Sequence, residues 1–256
     1  MQTLISARNI KKSFRIGRKK SFLAVNDVSL DIFKGETLAL VGESGSGKST
    51  LAKLLMRLIK ADEGSIAFEG QEIEELSEKE MLPFRREMQL VFQDPASSLD
   101  PRMNVRDIIA EPLETWKVYD SREKTDERIM ELLDMVELKE DSLKRYPRQF
   151  SGGQRQRIGI ARAIAVNPKL LVCDESVSAL DVCVQAQILN LLKKLKQEMD
   201  LTCLFISHDL SVVSFIADRV CVMKDGEICE TAPGEKLFKS PEHEYTRYLL
   251  SSIPGQ

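Results

Sequence analysis

Residues 37–50 read TLALVGESGSGKST, and the order of residue types in this stretch decides the fold. Thr37 to Val41 is a continuous apolar run, short enough for a parallel strand buried on both faces. A glycine-rich loop follows, and then Leu51, Leu54, Leu55 and Leu58 recur at the spacing of one helix face. Strand, loop and helix in this order fit the pattern G-x-x-x-x-G-K-[ST], here Gly42, Glu43, Ser44, Gly45, Ser46, Gly47, Lys48 and Ser49, with Thr50 next. Glycines let the backbone curl so that its N–H groups face a β-phosphate, and the helix offers its positive N-terminus. Lys48 is then suited to bridge β- and γ-phosphates, and the Ser49 hydroxyl to ligate Mg²⁺. The bland alternative is a glycine-rich turn that contains a lysine. By itself the loop says only nucleotide, because kinases, GTPases and many ATPases share it.

Upstream, Val28, Leu30 and Ile32 alternate with Asp27, Ser29 and Asp31, which reads as a half-buried strand ending in a turn at Lys34, Gly35 and Glu36. Downstream, 88–92 (MQLVF), 170–173 (LLVC) and 201–206 (LTCLFI) are further strand candidates, and Val184, Ile188, Leu191 and Leu195 mark a helix. The alternation predicts an α/β fold with a mostly parallel sheet covered on both faces. From about 94 to 166 helical signals replace strand signals, notably over 105–110, 125–135 and 154–166. We read an inserted helical subdomain within one domain of 1–256. After His208 come a short helix, an apolar run at 219–223, an Asp225-Gly226 turn and a second strand at 227–230, the pattern of a hairpin. A short tail runs from about 231 to 256.

The composition allows a sizeable core and argues against disordered, collagen-like and disulfide-scaffold classes, with 43% hydrophobic residues in 256. Lys+Arg 37 against Asp+Glu 40 leaves a net charge of -3, so no global field draws the chain onto nucleic acid. The basic residues Lys11, Lys12, Arg15, Arg18, Lys19 and Lys20 are interrupted by Ser13 and Gly17 and read as a solvated loop. Five cysteines, at 173, 183, 203, 221 and 229, form no Cys-x-x-Cys pair and read as reduced core residues of a cytosolic protein. At the N-terminus the basic residues follow a short apolar stretch, the reverse of a secretory signal. No window is apolar for long enough to span a bilayer, so a membrane role is expected to work through a partner.

A phosphate-loop ATPase also needs a carboxylate at the end of a neighbouring buried strand. The run LLVC at 170–173 places Asp174 at such a carboxyl end, where open α/β sheets bind ligands, and Glu175 adds a carboxylate suited to polarise water as a general base. In isolation the pair would read as an exposed strand terminus; the upstream loop reverses that. Phe150, Ser151, Gly152, Gly153 and Gln154 precede the helical run QRQRIGIARAIAV. Ser151 and Gln154 make a capping box, so the segment could simply start a helix. Two consecutive glycines add exposed N–H groups at a helix N-terminus, ready for an anion.

Here the sequence resembles the ABC ATPases. The motifs stand in that family's order: the phosphate loop, Gln93 in VFQDP, SGGQ at 151–154, Asp174 and Glu175, Ser178 to Asp181, and His208. Nearly the whole chain is covered, and VFQDPASSLDPRMNV, RYPRQFSGGQRQRIGIARA and DESVSALDVCVQAQILNLL look like the oligopeptide, dipeptide and nickel importer ATPases. The resemblance implies a phosphate-loop fold of ABC type with antiparallel N-terminal strands, and two nucleotide domains sandwiching two ATP molecules head to tail. Ser151 and Gly153, with Gly152 and Gln154, would touch ATP held by the partner, and Asp181 would join the nucleotide site. Gln93 would contact Mg²⁺ and the attacking water, Asp174 the metal, and His208 the γ-phosphate and Glu175. Phe14 aligns with an adenine-stacking aromatic. The implied partners are a second ABC ATPase subunit, two transmembrane permeases and an extracytoplasmic substrate-binding protein, with no nucleic acid, at the cytoplasmic face of the membrane.

Two departures stand out: Phe150 replaces a commoner Leu, and Ser176 stands where Pro often follows. The sequence ends on PEHEYTRYLLSSIPGQ rather than on the longer tail of many peptide-importer subunits, which tilts the resemblance slightly toward nickel or metal-chelate import, with peptide import the leading expectation. A non-transport ABC ATPase acting on DNA or ribosomes should carry a coiled-coil insertion or tandem ATPase domains. A module that binds without hydrolysing should have lost Glu175 or His208. Neither pattern is present.

Overall fold

The computed structural model describes residues 2–17, 20–178 and 180–251. In chain order its elements are β1 (Thr3–Ile16), β2 (Lys20–Phe33), β3 (Thr37–Val41), α1 (Lys48–Leu55), β4 (Glu63–Phe68), β5 (Gln71–Glu72), α2 (Glu78–Glu87), β6 (Met88–Val91), α3 (Pro95–Ser98), α4 (Val105–Thr115) and α5 (Arg122–Met135), followed by α6 (Gly152–Ile164), β7 (Leu170–Asp174), α7 (Val182–Met199), β8 (Thr202–Ser207), α8 (Leu210–Ile216), β9 (Arg219–Lys224), β10 (Glu227–Pro233), α9 (Gly234–Lys239) and α10 (Glu244–Ser251). Contacts divide the chain into two compact units, 1–85 with 202–256, and 86–201.

The first unit holds two sheets. In one, β1 pairs with β2 and β4 antiparallel, and β5 extends β4. In the other, β3 lies between β8 and β9, parallel to both, and β10 returns antiparallel on β9. Every residue of β3 and β8 is buried, as expected of short apolar runs with neighbours on both faces. Asp225 and Gly226 both have positive φ, 48° and 87°, the backbone that a two-residue hairpin turn demands.

The basic segment is not the loop the sequence suggested. Lys11, Lys12 and Arg15 lie in β1, where Lys12 and Arg15 pair across to β2 and Lys11 to Glu63 of β4. Lys11 and Lys12 are neutralised by Glu63 and Asp62, each at 2.7 Å; Arg18 and Lys19 lie outside the described residues. The strand escaped notice because its register shifts between Ala7 and Ile10 and again between Ile10 and Lys12, with Asn9 at φ 52°. Such bulges erase the period-two signal.

In the second unit β6 and β7 are parallel neighbours. Helices α4, α5 and α6 occupy 105–164, α6 packing on α4 and α5. Apolar faces drive this packing: Ile108, Ile109 and Leu113 of α4, Ile129 and Leu132 of α5, and Ile158 and Ile160 of α6 are buried. Cys173, Cys203 and Cys221 are core residues; Cys183 is exposed and Cys229 half-buried, so the core reading fails for those two. No helix among the described residues is long and apolar enough to cross a membrane.

Candidate active site

Register explains where the functional side chains emerge. In the first unit Val41 of β3 pairs with Ser207 of β8. Gly42 and His208, each the next residue, therefore leave the sheet from the same carboxyl edge. In the second unit Val91 of β6 pairs with Cys173 of β7, so Gln93, Asp174 and Glu175 also share a carboxyl edge.

The phosphate loop is shaped by its surroundings. Gly42 (φ 151°) rests on β9: a Cβ there would lie 2.1 Å from the Met223 carbonyl oxygen. At Gly47 (φ 104°) a Cβ would lie 2.2 Å from the Ala24 carbonyl oxygen. Only glycine fits either place. Gly226 N–H donates to the Ser46 carbonyl at 3.0 Å, so the β9–β10 turn braces the loop. The buried Lys48 ammonium donates to the carbonyls of Gly42 (2.8 Å) and Glu43 (2.7 Å) and to Ser46 Oγ (3.3 Å). Lys48, Ser49 and Thr50 open α1, while Glu43, Ser44 and Gly45 form its exposed approach. Phe14 is exposed on β1 opposite Phe22 of β2, two residues from Ala24. The Lys12 ammonium lies 5.8 Å from its ring centroid.

In the second unit Gln93 Nε2 donates to Glu175 Oε2 at 2.9 Å, joining residues 82 apart in sequence. Glu175 has φ 47°, a left-handed conformation that costs a non-glycine residue about 1–3 kcal/mol and tends to cluster at functional sites. The turn after it is held by the Ser178 N–H and hydroxyl, which both donate to the Glu175 carbonyl, at 3.1 and 2.9 Å. Ser176 is buried, and its Oγ finds no hydrogen-bond partner among the described residues.

The capping box read from the sequence is present: Gln154 N–H donates to Ser151 Oγ and Ser151 N–H to Gln154 Oε1. It starts α6 with Gly152 and Gly153 in its first turn. A Cβ at Gly153 would meet Val184 Cγ1 at 2.3 Å, so this turn lies hard against α7. Asp181 caps α7 by accepting from Val184 N–H at 3.0 Å, which fixes the residue Gly153 packs on. Phe150 is buried beneath Arg145, whose guanidinium carbon stands 4.4 Å from the ring centroid and whose Nη2 donates to the Gln149 carbonyl. A leucine there would forgo that cation–π contact. No motif pointed to the Gly226 brace, since it acts on Ser46 from far along the chain; Arg145 opens the quoted stretch at 145–163, but the spacing alone does not assign it to the Phe150 ring.

A glycine loop between a buried strand and a helix in the first unit, and a carboxylate pair at a strand end in the second, are the parts that phosphate-loop ATPases use. The sequence profile described as ABC transporter matches residues 25–178. The chain is 49% identical to the oligopeptide transport ATP-binding protein OppF of Bacillus subtilis (strain 168), over 99% of this chain and 83% of that protein. It is 48% identical to the dipeptide transport ATP-binding protein DppF of Lactococcus lactis subsp. cremoris, over 98% of this chain and 81% of that one. A solved dimeric ATP-binding cassette, in a post-hydrolysis state bound to ADP and Pi, matches with TM-score 0.81 and 33% identity, covering 90% of this chain and 98% of its own. The chain belongs to the ABC transporter family, as one of its ATPase cassettes.

Proposed function

We propose that this chain is the ATP-hydrolysing subunit of an importer for oligopeptides or dipeptides, working as half of an ATPase pair on membrane-embedded permeases. The observation that carries the catalytic part is the Gln93–Glu175 hydrogen bond at the carboxyl edge of β6 and β7. The cargo rests on the relatives, named for oligopeptide and dipeptide transport.

The loop at 42–50 binds the phosphates of ATP, with Lys48 on the β- and γ-phosphates. Glu175 takes a proton from a water that Gln93 helps to orient. The water oxygen bonds to the γ-phosphorus, the bond to the ADP oxygen breaks, and ADP and phosphate leave. His208 steadies the γ-phosphate from the edge of β8, and Phe14 stacks on adenine. Ser151, Gly152, Gly153 and Gln154 present the N-terminus of α6 to ATP bound by the partner ATPase, where charge develops in the transition state. Asp181 keeps that turn in place through Val184 and completes the nucleotide site. The hydroxyl of Ser49, the carboxylate of Asp174 and the amide oxygen of Gln93 are hard oxygen donors, the chemistry Mg²⁺ takes alongside substrate phosphates. That ion would neutralise developing phosphate charge. The helices at 94–166 form a subdomain that carries the state of Gln93 to the permeases, at the cytoplasmic face of the membrane, with an extracytoplasmic protein delivering cargo.

Glu175→Gln tests the reading. With the partner subunit present, ATP should still bind while turnover falls at least ~10²-fold, the scale of losing a positioned general base. Near-normal hydrolysis would remove Glu175 from the role assigned here. Uptake of labelled oligopeptides, compared with nickel, by membranes carrying the assembled transporter tests the cargo.

A further inference from the structure

The C-terminal segment reaches back to the phosphate loop through one side chain. The loop at 240–243 is fastened by Glu230, whose carboxylate accepts from the N–H groups of Glu242 and His243, each at 3.0 Å. His243 Nδ1 in turn accepts from Tyr245 N–H at 3.1 Å, at the start of α10. That seats the Tyr245 ring, which is buried, beneath the Lys224 ammonium at 4.9 Å and beside Tyr248. Its hydroxyl oxygen accepts from the backbone N–H of Glu43 at 3.2 Å, across 202 positions of sequence. Glu43 begins the exposed part of the loop, whose far side is braced by Gly226 on Ser46. Burial pushes the phenol's pKa up, so the group stays protonated at neutral pH.

We propose that Tyr245 is a positioning residue for the phosphate loop, making segment 230–251 a working part of the nucleotide site that sets affinity for nucleotide. The inference rests on the nucleotide reading of the loop. The phenol ties down the second loop residue, so it preorganises the loop for substrate and transition state alike. Contacts of that kind change KM and leave kcat in place.

Tyr245→Phe removes one oxygen and keeps the ring against Lys224 and Tyr248. Titration of the full chain with a fluorescent ATP analogue should show Kd raised about threefold to tenfold, the range that one net hydrogen bond spans as an equilibrium constant. With the partner ATPase present, KM should rise by a similar factor while kcat stays within about twofold. Amide hydrogen exchange adds a reading independent of activity. The Glu43 amide should be protected in the wild-type chain and lose protection in Tyr245→Phe, while the Gly226 amide keeps its own. Unchanged Kd in the variant of a wild-type chain that binds nucleotide overturns the Tyr245 proposal and leaves the loop's function standing. A fall in kcat at constant KM overturns it too. So does an unprotected Glu43 amide in the wild-type chain, whether or not the variant folds. A wild-type chain that binds no nucleotide overturns the reading of the loop itself, and the affinity claim falls with it.

Discussion

Alanine at Gly47 and at Gly45 should have different costs, and the difference is set by what surrounds each position. Both residues have positive φ, 104° and 83°, so each substitution incurs the backbone penalty of about 1–3 kcal/mol for a side chain in that region. At Gly45 nothing lies within 4 Å of the added Cβ, so the penalty ends there. At Gly47 the Cβ would lie 2.2 Å from the Ala24 carbonyl oxygen and 2.8 Å from Met223 Cε. Met223 Cε is the end of a flexible side chain, but Ala24 is backbone in β2 and can yield only by moving the strand. Overpacking of this kind adds about 1–3 kcal/mol, giving about 2–6 kcal/mol in all. At about 2–4 °C per kcal/mol for a chain near this size, Gly47→Ala should melt about 2–12 °C below Gly45→Ala. Thermal unfolding followed by circular dichroism without nucleotide measures this, and nucleotide titration should show the larger affinity loss in Gly47→Ala. Equal melting temperatures, or a more stable Gly47→Ala, would refute the claim that β2 packing makes this position glycine.

Two further outcomes are expected. Burial alone would raise the Glu230 carboxyl, but the Glu242 N–H, the nearby Thr246 hydroxyl and the His243 N–H together outweigh it and hold it below its ordinary 4.5. A depressed carboxylate lends stability that is full above the unfolded value and lost as pH falls through the folded one. Exchange at the Glu242 and His243 amides should therefore speed up below about pH 4.5 beyond its intrinsic pH dependence, and Glu230→Gln should flatten that response; an identical profile in the variant would count against the anchor. Among the thiols, burial pushes Cys221 up to about 11 while Cys183 is exposed. Maleimide labelling of the native chain read by mass spectrometry should modify Cys183 and reach Cys221 only on unfolding; comparable rates would contradict the burial of β9.

Much of the fold was legible because period and context agreed. The apolar runs at 37–41 and 170–173 became β3 and β7, and the spaced apolar residues of α5 and α7 became buried faces. The capping box at Ser151 was written locally, and its side chains closed as the spacing requires. β1 went unread because its bulges put Leu4 and Ile5, adjacent in sequence, both in the core. β4 depends on β1, its antiparallel partner more than fifty positions earlier, as Lys11 paired with Glu63 shows. Contacts such as Tyr245 to Glu43 and Gly226 to Ser46 join residues whose own neighbours say nothing of the pairing.

This separates two kinds of information in the stretch at 37–50. Gly45 faces open space, and its backbone conformation alone asks for glycine. Gly42 and Gly47 also have positive φ, and the Met223 and Ala24 carbonyls press on them in addition, from β9 and β2. A phosphate needs the loop's N–H groups turned inward, but the loop holds that curve only against these two strands. The pattern of glycines therefore records the packing of distant segments as well as the ligand. That is why so short a stretch decides the fold: beyond the positive φ that all three share, two of its glycines are pressed by a strand before the loop and by another near the end of the sequence.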